Sequence, residues 1–399
     1  MENYCRCVQR LCRKISTYIK LILLSLLFAV LPIFVANSQF FSAKGSSGGE
    51  IVANTNKISD QETFPIASLS RNQCDAATQK AVEIDPPPNN ASLEGLRKAM
   101  PEFVPRPEQL AVKTTNCWGA EGVYLTVGFL DSPPRDLKAR ILSLMNDWSK
   151  TGNIQFVETN TNPQVRITLD PDKGNWSYVG TYILSPDLAN RPTMNLAALT
   201  RRDISDDRFN RVVLHETGHT LGFPHEHLRR GLVERIDRDK AIAYYQRQGW
   251  TLETINKNVL EPLEESSIMG STPTDPTSIM SYPIPGEITK DGNPIVSGTE
   301  ISSSDREFVA QIYPKPRPSD GTIVYIDSEY QGFGRTLAPG KYDWGQIHND
   351  VISSMKIPAG KKVTVYSDVN FGGQEKTFTA DTPYVGDDFN DRISSIVIE

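Results

Sequence analysis

Basic residues do not dominate this chain, which carries a formal net charge of -6 over 399 residues. Outside the first twenty residues the sequence has no block of lysine and arginine. Nucleic-acid binding depends chiefly on clustered positive charge that neutralises phosphates. The composition therefore gives no reason to expect nucleic acid as a partner.

Long apolar runs are also scarce, and the one that stands out is Leu21–Ala36, which follows a basic segment. It is shorter than the ~20 apolar residues of a membrane-spanning helix, and Pro32 interrupts it. A basic start, a short apolar run and small residues at Ala36 and Ser38 are typical of a secretory signal peptide. We expect residues 1–38 to be that signal and the mature protein to be secreted, without stable membrane association. An uncleaved signal anchor is the alternative.

Cysteine is rare as well, with five in the chain, three of them before the apolar run. Removal of a signal peptide would leave Cys74 and Cys117. In an oxidising compartment two remaining thiols most simply form one disulfide, although the sequence does not prove that pairing.

Residues 39–110 have few periodic patterns. The stretch SAKGSSGGE has the composition of a flexible linker, and DPPPNN and PEFVPRPE are rich in proline. Such composition predicts weak order. The segment is interpreted either as a propeptide or as a flexible tether.

Strand and helix patterns follow from about Trp118. Apolar and β-branched residues predict strands at 122–130, 154–159, 165–170 and 177–184. Residues 133–150 predict a helix with one apolar face. A second helix follows, with Ser205 as its N-cap and Gly222 as its stop. This order predicts an α+β domain over residues 111–314.

Histidine is the most unevenly distributed residue: the chain has five, and four lie in HETGHTLGFPHEH, His215–His227. His215 and His219 are four residues apart, so on a helix both side chains lie on one face. Gly222 can adopt backbone conformations that end the helix, after which His225 can return as a third ligand. We expect these three residues to hold one metal ion. His227 is the less favoured alternative to His225.

The spacing HExxHxxGxxH suits zinc, because three protein ligands leave a fourth tetrahedral position for water. Glu216, next to the first ligand, can reach that water as general base. The residues therefore predict one catalytic zinc ion and hydrolysis of an amide bond. The alternative is a solvated helix end with chance histidines.

The residues HETGHTLGFPHE resemble the extended zinc motif of the metzincin metallopeptidases, and within them that of the astacin-like family. Glu226, directly after the third histidine, and Arg229 point to astacins over matrixins. Downstream, DPTSIMSYPIP resembles the Met-turn. The resemblance implies Met280 under the zinc site and Tyr282 as a residue that ligates zinc or stabilises the transition state. Ser281 stands where a histidine is common in the family.

This resemblance covers about Val112–Tyr313 and implies a zincin fold: a twisted mixed sheet and two long helices above the cleft, with a smaller irregular subdomain below. It implies protein or peptide substrates and leaves the oligomeric state open. Propeptides of the family usually block zinc with an aspartate motif, which has no clear match in residues 39–115. A Cys74 thiolate is therefore an alternative blocker, weighed against the disulfide with Cys117.

The last eighty residues contain a repeat with an offset of 41, in which YIDSEYQG matches YSDVNFGG and NDVISS matches NDRISS. Short β-rich segments with glycine turns predict two copies of one small unit. The repeats resemble the calcium motifs and Greek keys of microbial βγ-crystallins. That resemblance implies an all-β, double Greek-key domain over residues 319–399 that binds two calcium ions, each joining the two halves. The candidate calcium ligands are Asn349, Asp350, Ser353, Asn390, Asp391 and Ser394.

The sequence as a whole predicts a secreted zinc endopeptidase with a C-terminal calcium-binding module. The alternative is a calcium-stabilised extracellular binding or structural protein with an inactive protease-like body. The complete zinc motif, with Glu216 in place, favours the enzyme. For the C-terminal repeat a separate alternative is a Greek-key domain in which the Asn-Asp and Ser-Ser pairs only cap turns.

Overall fold

The computed structural model describes residues 112–113, 116–119, 121–264, 268–269, 275, 277–318 and 321–399. The predicted signal peptide, the predicted propeptide or tether, and Cys74 lie outside these residues. Among the described residues, no helix combines the length and apolar character needed to cross a membrane.

A mixed sheet of five strands forms the upper part of the first domain, in the order β3-β2-β4-β6-β5. Its first four strands in that order run parallel, and β5 pairs antiparallel with β6 at the edge. A separate pair joins β1 to β7. The strands are β1 (Val112–Lys113), β2 (Val123–Phe129), β3 (Ile154–Glu158), β4 (Val165–Thr168), β5 (Asn175–Ser177), β6 (Met194–Leu196) and β7 (Ile268–Met269).

Two long helices lie against this sheet and a set of shorter helices follows. The α-helices of the described part are α1 (Arg135–Met145), α2 (Asp206–Thr220), α3 (Arg230–Val233), α4 (Arg238–Arg247), α5 (Leu252–Ile255) and α6 (Ser303–Ile312). The Ser205 side chain accepts a hydrogen bond from the Arg208 backbone N–H, so the predicted N-cap of α2 is confirmed. Caps of this kind satisfy backbone donors that the helix start leaves open.

One predicted strand is wrong. Residues 177–184 do not form a strand, because β5 ends at Ser177 and a 3₁₀ helix occupies Gly180–Leu184. Gly180 has a φ of 54° and lies against the Asn116 backbone, where a Cβ would collide with the carbonyl oxygen. Thr181 N–H donates to that same oxygen. A long-range backbone contact thus turns the chain where the local pattern favours extension.

The core of the first domain joins the two long helices to the sheet. Met145 at the end of α1 and Trp148 in the 3₁₀ helix Asn146–Lys150 that follows are both buried, as the predicted apolar face requires. The Trp148 indole N–H donates to the Leu214 carbonyl on α2 at 3.2 Å. Burial of apolar area contributes roughly 25 cal/mol per Å², so this packing fixes α2 and the residues that it carries.

The C-terminal domain consists of two sheets built from the sequence repeat. One sheet has the order β11-β8-β9 and the other β10-β14-β12-β13. The third strand of the first repeat, β10, pairs with β14 of the second, which produces the Greek-key crossing. The strands are β8 (Thr322–Tyr325), β9 (Gly334–Leu337), β10 (Gly340–Tyr342), β11 (Ser354–Lys356), β12 (Val363–Asp368), β13 (Gly372–Phe378) and β14 (Ser395–Ile398). Their buried residues form a core of their own.

The C-terminal domain packs directly on the first domain at the start of β2 and β3. The Asn153 side chain donates to the Gly334 carbonyl at 2.7 Å and accepts from the Gly334 N–H at 3.0 Å. The His348 ring stacks on Tyr124, with centroids 4.2 Å apart. Burial, and secondarily Arg335, lower the pKa of His348 to about 4. We refer to Asn153, Tyr124, Gly334 and His348 as the domain seam.

We expect Asn153→Ala to destabilise the seam, because Asn153 is 2% exposed and its loss leaves two buried backbone groups unsatisfied. Such groups cost about 1–3 kcal/mol each. The matched variant is Arg335→Gln, which removes only a partly exposed ion pair with Glu121 at 3.3 Å. Exposed pairs contribute about 0–1 kcal/mol. Chemical denaturation of both variants checks this, and equal losses would contradict the buried amide as the main contact.

Candidate functional site

Helix α2 and the turn after it assemble the three predicted zinc ligands. His215 and His219 lie on one face of α2, and Gly222 ends the helix with a φ of 101°. His225 returns beyond that turn, and the candidate ligand atoms of the three histidines lie within 4.8 Å of one another. All three side chains are buried. The structure thus brings together the three residues that the spacing predicted.

The second nitrogens of two rings fix their orientation. His215 Nδ1 lies 2.7 Å from the Ile279 carbonyl and His219 Nδ1 lies 2.7 Å from the Phe223 carbonyl. A carbonyl oxygen only accepts, so both Nδ1 atoms carry a proton. In the neutral ring this leaves the lone pair on Nε2. The Nε2 atoms of His219 and His225 lie 3.2 Å apart.

This donor set fits zinc. Neutral imidazole is a preferred zinc ligand, and hydrogen bonds from the other ring nitrogen to a carbonyl hold the ring in the required tautomer. Burial, with His219 as a smaller cause, holds the pKa of His215 well below its usual value. The His215 ring is therefore in the unprotonated form that binds a metal.

Glu216 follows the first ligand in α2 and is 0% exposed. A buried carboxylate is costly unless a cation or a hydrogen-bond donor compensates it. Its place beside the histidine cluster is therefore consistent with a general base rather than with a surface residue.

The Met-turn packs beneath the histidines. A Cβ on Gly218 would collide with the Met280 sulfur, so glycine at this position of α2 lets the methionine approach the helix. The Glu226 N–H donates to the Met280 carbonyl at 2.9 Å. Together these contacts join the third histidine, the helix and the Met-turn.

Asp305, at the start of α6, is a site residue that the sequence reasoning missed. Its carboxylate accepts from the Ser278 hydroxyl at 2.8 Å and from the Ile279 N–H at 3.0 Å. Burial raises its pKa to about 6. The capping box with Ser302 could have located the helix start from sequence. The contact with the Met-turn is not local and left no such signal.

Tyr282 lies beside the third histidine, as the resemblance implied. Its ring is 1% exposed and packs edge-on against the His225 ring, with centroids 4.5 Å apart. Ser281, the departure from the family pattern, is also buried. The phenol ring is thus held within the same cluster as the predicted zinc ligand His225.

The two residues that pointed to astacins form a buried ion pair, with Arg229 Nη1 3.4 Å from Glu226 Oε1. They are 6% and 1% exposed. Removing one partner of such a pair is strongly destabilising, because it leaves a buried charge uncompensated. The pair therefore fixes the segment that follows His225.

Cys117 is 3% exposed, and its thiol donates to the Trp118 carbonyl at 3.3 Å. Because Cys74 lies outside the described residues, both the disulfide with Cys117 and the alternative of a Cys74 zinc blocker stay predictions.

The predicted calcium residues come together in two equivalent sets, each drawn from both repeats. In one, the Ser353 hydroxyl lies 2.8 Å from the Ile326 carbonyl and 3.5 Å from Asp391 Oδ1. In the other, the Ser394 hydroxyl lies 3.1 Å from the Ser367 carbonyl and 3.0 Å from Asp350 Oδ1. Hydroxyl, carbonyl and carboxylate oxygens are the ligand types that calcium takes.

The two candidate asparagine ligands, Asn349 and Asn390, make a different kind of hydrogen bond from the two serines. Asn349 and Asn390 each donate through the side-chain amide to the carboxylate of the next residue, at 2.7 and 2.9 Å. Asp350 and Asp391 have φ values of 55° and 54°, so the two loops share one unusual backbone conformation. The backbone carbonyls of Ile326 and Ser367 were not identified individually from sequence, since any residue offers that group.

The α+β sheet and helices, the histidine triad and the Met-turn together define a zincin of the metzincin type, followed by a βγ-crystallin-like domain. The family model of the astacin peptidases matches residues 112–331. The chain belongs to the astacin family.

Curated relatives match each domain separately. The zinc metalloproteinase nas-27 of Caenorhabditis elegans is 32% identical over 111 residues, which are 28% of this chain and 22% of that protein. The development-specific protein S of Myxococcus xanthus is 33% identical over 78 residues, which are 18% of this chain and 44% of that protein. The matches thus span less than half of the length of either relative.

Solved structures also match one part of the chain at a time. The structure of myroilysin is 30% identical and covers 52% of this chain and 100% of its own, with a TM-score of 0.48. A βγ-crystallin domain from Clostridium beijerinckii is 41% identical and covers 20% of this chain and 95% of its own, with a TM-score of 0.19.

Proposed function

We propose that this chain is a secreted, zinc-dependent endopeptidase that cleaves protein or peptide substrates. The observation that carries the proposal is the buried triad of His215, His219 and His225, whose ligand atoms lie within 4.8 Å of one another. Membership of a peptidase family supports it.

A zinc ion held by the three histidines would supply Lewis-acid chemistry, polarising the scissile carbonyl and lowering the pKa of water. Glu216 accepts the proton of the attacking water and passes it to the leaving amine. Tyr282 donates a hydrogen bond to the oxygen on which negative charge develops. The backbone carbonyls of Ile279 and Phe223 hold the rings of His215 and His219 in the tautomer that leaves Nε2 for the metal.

The alternative is a calcium-stabilised binding or structural protein with an inactive protease-like body. A body without enzymatic function does not need Glu216 buried beside a complete histidine triad. A buried carboxylate costs free energy unless it is compensated, so its presence there favours the enzyme.

Zinc content and hydrolysis of casein test the two functions together. We expect about one zinc per chain, and activity that a zinc chelator removes and added zinc restores. Calcium is kept in excess throughout, so that loss of calcium does not mimic loss of zinc. A zinc-loaded, folded protein, recovered in mature form, that hydrolyses no protein substrate would favour the alternative.

Secretion is part of the proposal and rests on the predicted signal at residues 1–38. We expect the protein in the culture medium, with an N-terminus beyond residue 38, when it is expressed with its own leader. An N-terminal sequence that retains the apolar run Leu21–Ala36 in a membrane fraction would instead support the signal anchor.

We further propose that the C-terminal domain binds two calcium ions. The two oxygen sets around Ser353 and Ser394 support this, because each combines a hydroxyl of one repeat with a carboxylate of the other. An ion at either set would hold the two repeats together.

We expect calcium at 100 times its Kd to stabilise the domain by about 2.7 kcal/mol per site, if it binds only the folded form. Ser353→Ala and Ser394→Ala should each weaken one site and leave zinc content unchanged. Ser354→Ala is the matched control, because its hydroxyl donates to the Asp327 carbonyl at 2.6 Å instead. Calorimetric titration and melting with calcium or EGTA check this. Melting that ignores calcium would leave the Asn-Asp and Ser-Ser pairs as turn caps.

A further inference from the structure

His227 lies between the zinc site and the π-helical segment Asn256–Leu260, a position that zinc binding does not explain. Its ring is 0% exposed. One face packs near His225, with ring centroids 5.0 Å apart, and the Tyr282 ring meets it edge-on at 4.6 Å. The residue therefore touches both the third zinc ligand and the phenol that we assign to the transition state.

Both ring nitrogens of His227 are engaged by groups whose roles are fixed. The Tyr282 backbone N–H can only donate, and it lies 3.2 Å from Nδ1. The Asn258 carbonyl can only accept, and it lies 2.7 Å from Nε2. The ring is thus neutral, with its proton on Nε2. Neither nitrogen remains for a metal, which removes His227 as the alternative third ligand.

These two bonds connect separate parts of the chain. Asn258 belongs to the π-helical segment Asn256–Leu260, whereas Tyr282 belongs to the Met-turn. The carboxylate of Asp305 holds the Met-turn at the Ile279 N–H, one residue before Met280. The His227 ring, in contrast, holds the backbone at Tyr282 itself.

We propose that His227 is a positioning residue, which sets the place of the Tyr282 phenol by holding its backbone N–H through Nδ1. The proposal rests on the proposed function for the role of the phenol. An alternative is that the ring only fills the core, in which case the hydrogen bond to Tyr282 has no separate effect.

Two substitutions of His227 separate its two nitrogens. The side-chain oxygen of asparagine can take the place of Nδ1, so His227→Asn keeps the acceptor for the Tyr282 N–H. The longer amide of glutamine reaches the place of Nε2, so His227→Gln keeps the donor to the Asn258 carbonyl. Both variants lose the ring, and each serves as the control of the other for lost packing.

The direct readout is hydrogen exchange of the Tyr282 amide in the full-length, zinc-loaded protein. We expect faster exchange in His227→Gln than in His227→Asn. The kinetic readout is kcat, which should fall about 10- to 100-fold in His227→Gln, since misplacement by about 1 Å can cost about 10²-fold. In His227→Asn it should stay within about threefold, and KM and zinc content should change little in either.

A Tyr282→Phe background identifies the route of the effect. If His227 acts through the phenol, His227→Gln should lower kcat little once the hydroxyl is gone, because coupled residues are not additive. An equal fold-loss in both backgrounds, or equal exchange rates in the Gln and Asn variants, would overturn the proposal. If the wild-type protein hydrolyses no peptide, the proposed function fails, and the exchange rates still test the bond.

Discussion

Glu216→Gln should keep its zinc and lose nearly all peptidase activity. The side chain is not one of the three ligands, and glutamine has nearly the same shape, so the site should still assemble. An amide cannot accept the proton of the attacking water. General acid–base catalysis contributes about 10²–10⁴-fold, which corresponds to about 2.7–5.4 kcal/mol of transition-state stabilisation.

The measurement is kcat/KM on a fluorogenic peptide, with zinc content determined on the same preparation. Glu307→Gln is the matched control, because this exposed glutamate on α6 lies away from the histidines in sequence and should leave activity near the wild-type rate. A Glu216→Gln variant that retains zinc and cleaves at a near wild-type rate would show that another group is the base.

Tyr282→Phe should lower kcat by about 10²–10³-fold, the usual cost of losing one donor to a developing oxyanion. The ring itself remains, so its packing on His225 and the bond from its backbone N–H to His227 are retained. The missing hydroxyl matters mainly in the transition state, where the negative charge on the oxygen is greatest. We therefore expect KM to change much less than kcat.

Steady-state kinetics give both constants for this variant. Tyr245→Phe is the control, since it removes another buried phenol, 2% exposed, on α4. Its activity should match the wild-type protein after any loss of stability is allowed for. A Tyr282→Phe variant with raised KM and unchanged kcat would place the hydroxyl in ground-state binding instead.

The proposed zinc and calcium sites lie in different domains, which meet at the seam. Asn153 and Gly334 exchange two hydrogen bonds across the seam, so the two domains are in direct contact. Each domain keeps its own core, so zinc binding should survive loss of calcium. The free energy of unfolding of the whole chain should still depend on both metals.

Short-range patterns in the sequence were sufficient for the α2 helix and for its two histidines. The N-cap at Ser205 and the four-residue spacing of His215 and His219 are properties of neighbouring residues, and the helix period alone brings both rings to one face. The repeat with an offset of 41 likewise predicted two equivalent β units, because each unit repeats the same local turns.

Only the tertiary structure decided which distant groups meet. No local pattern distinguishes Asp305 as the carboxylate that holds the Met-turn, or assigns the nitrogens of His227 to Tyr282 and Asn258. The same is true of residues 177–184, where the carbonyl of Asn116 turns the chain out of the predicted strand. The patterns that predict strands and metal ligands depend on a few residues adjacent in sequence. The contacts of Asp305 and His227, in contrast, join residues 26 to 55 positions apart. Such contacts form, and contribute to stability, only when the whole domain is folded.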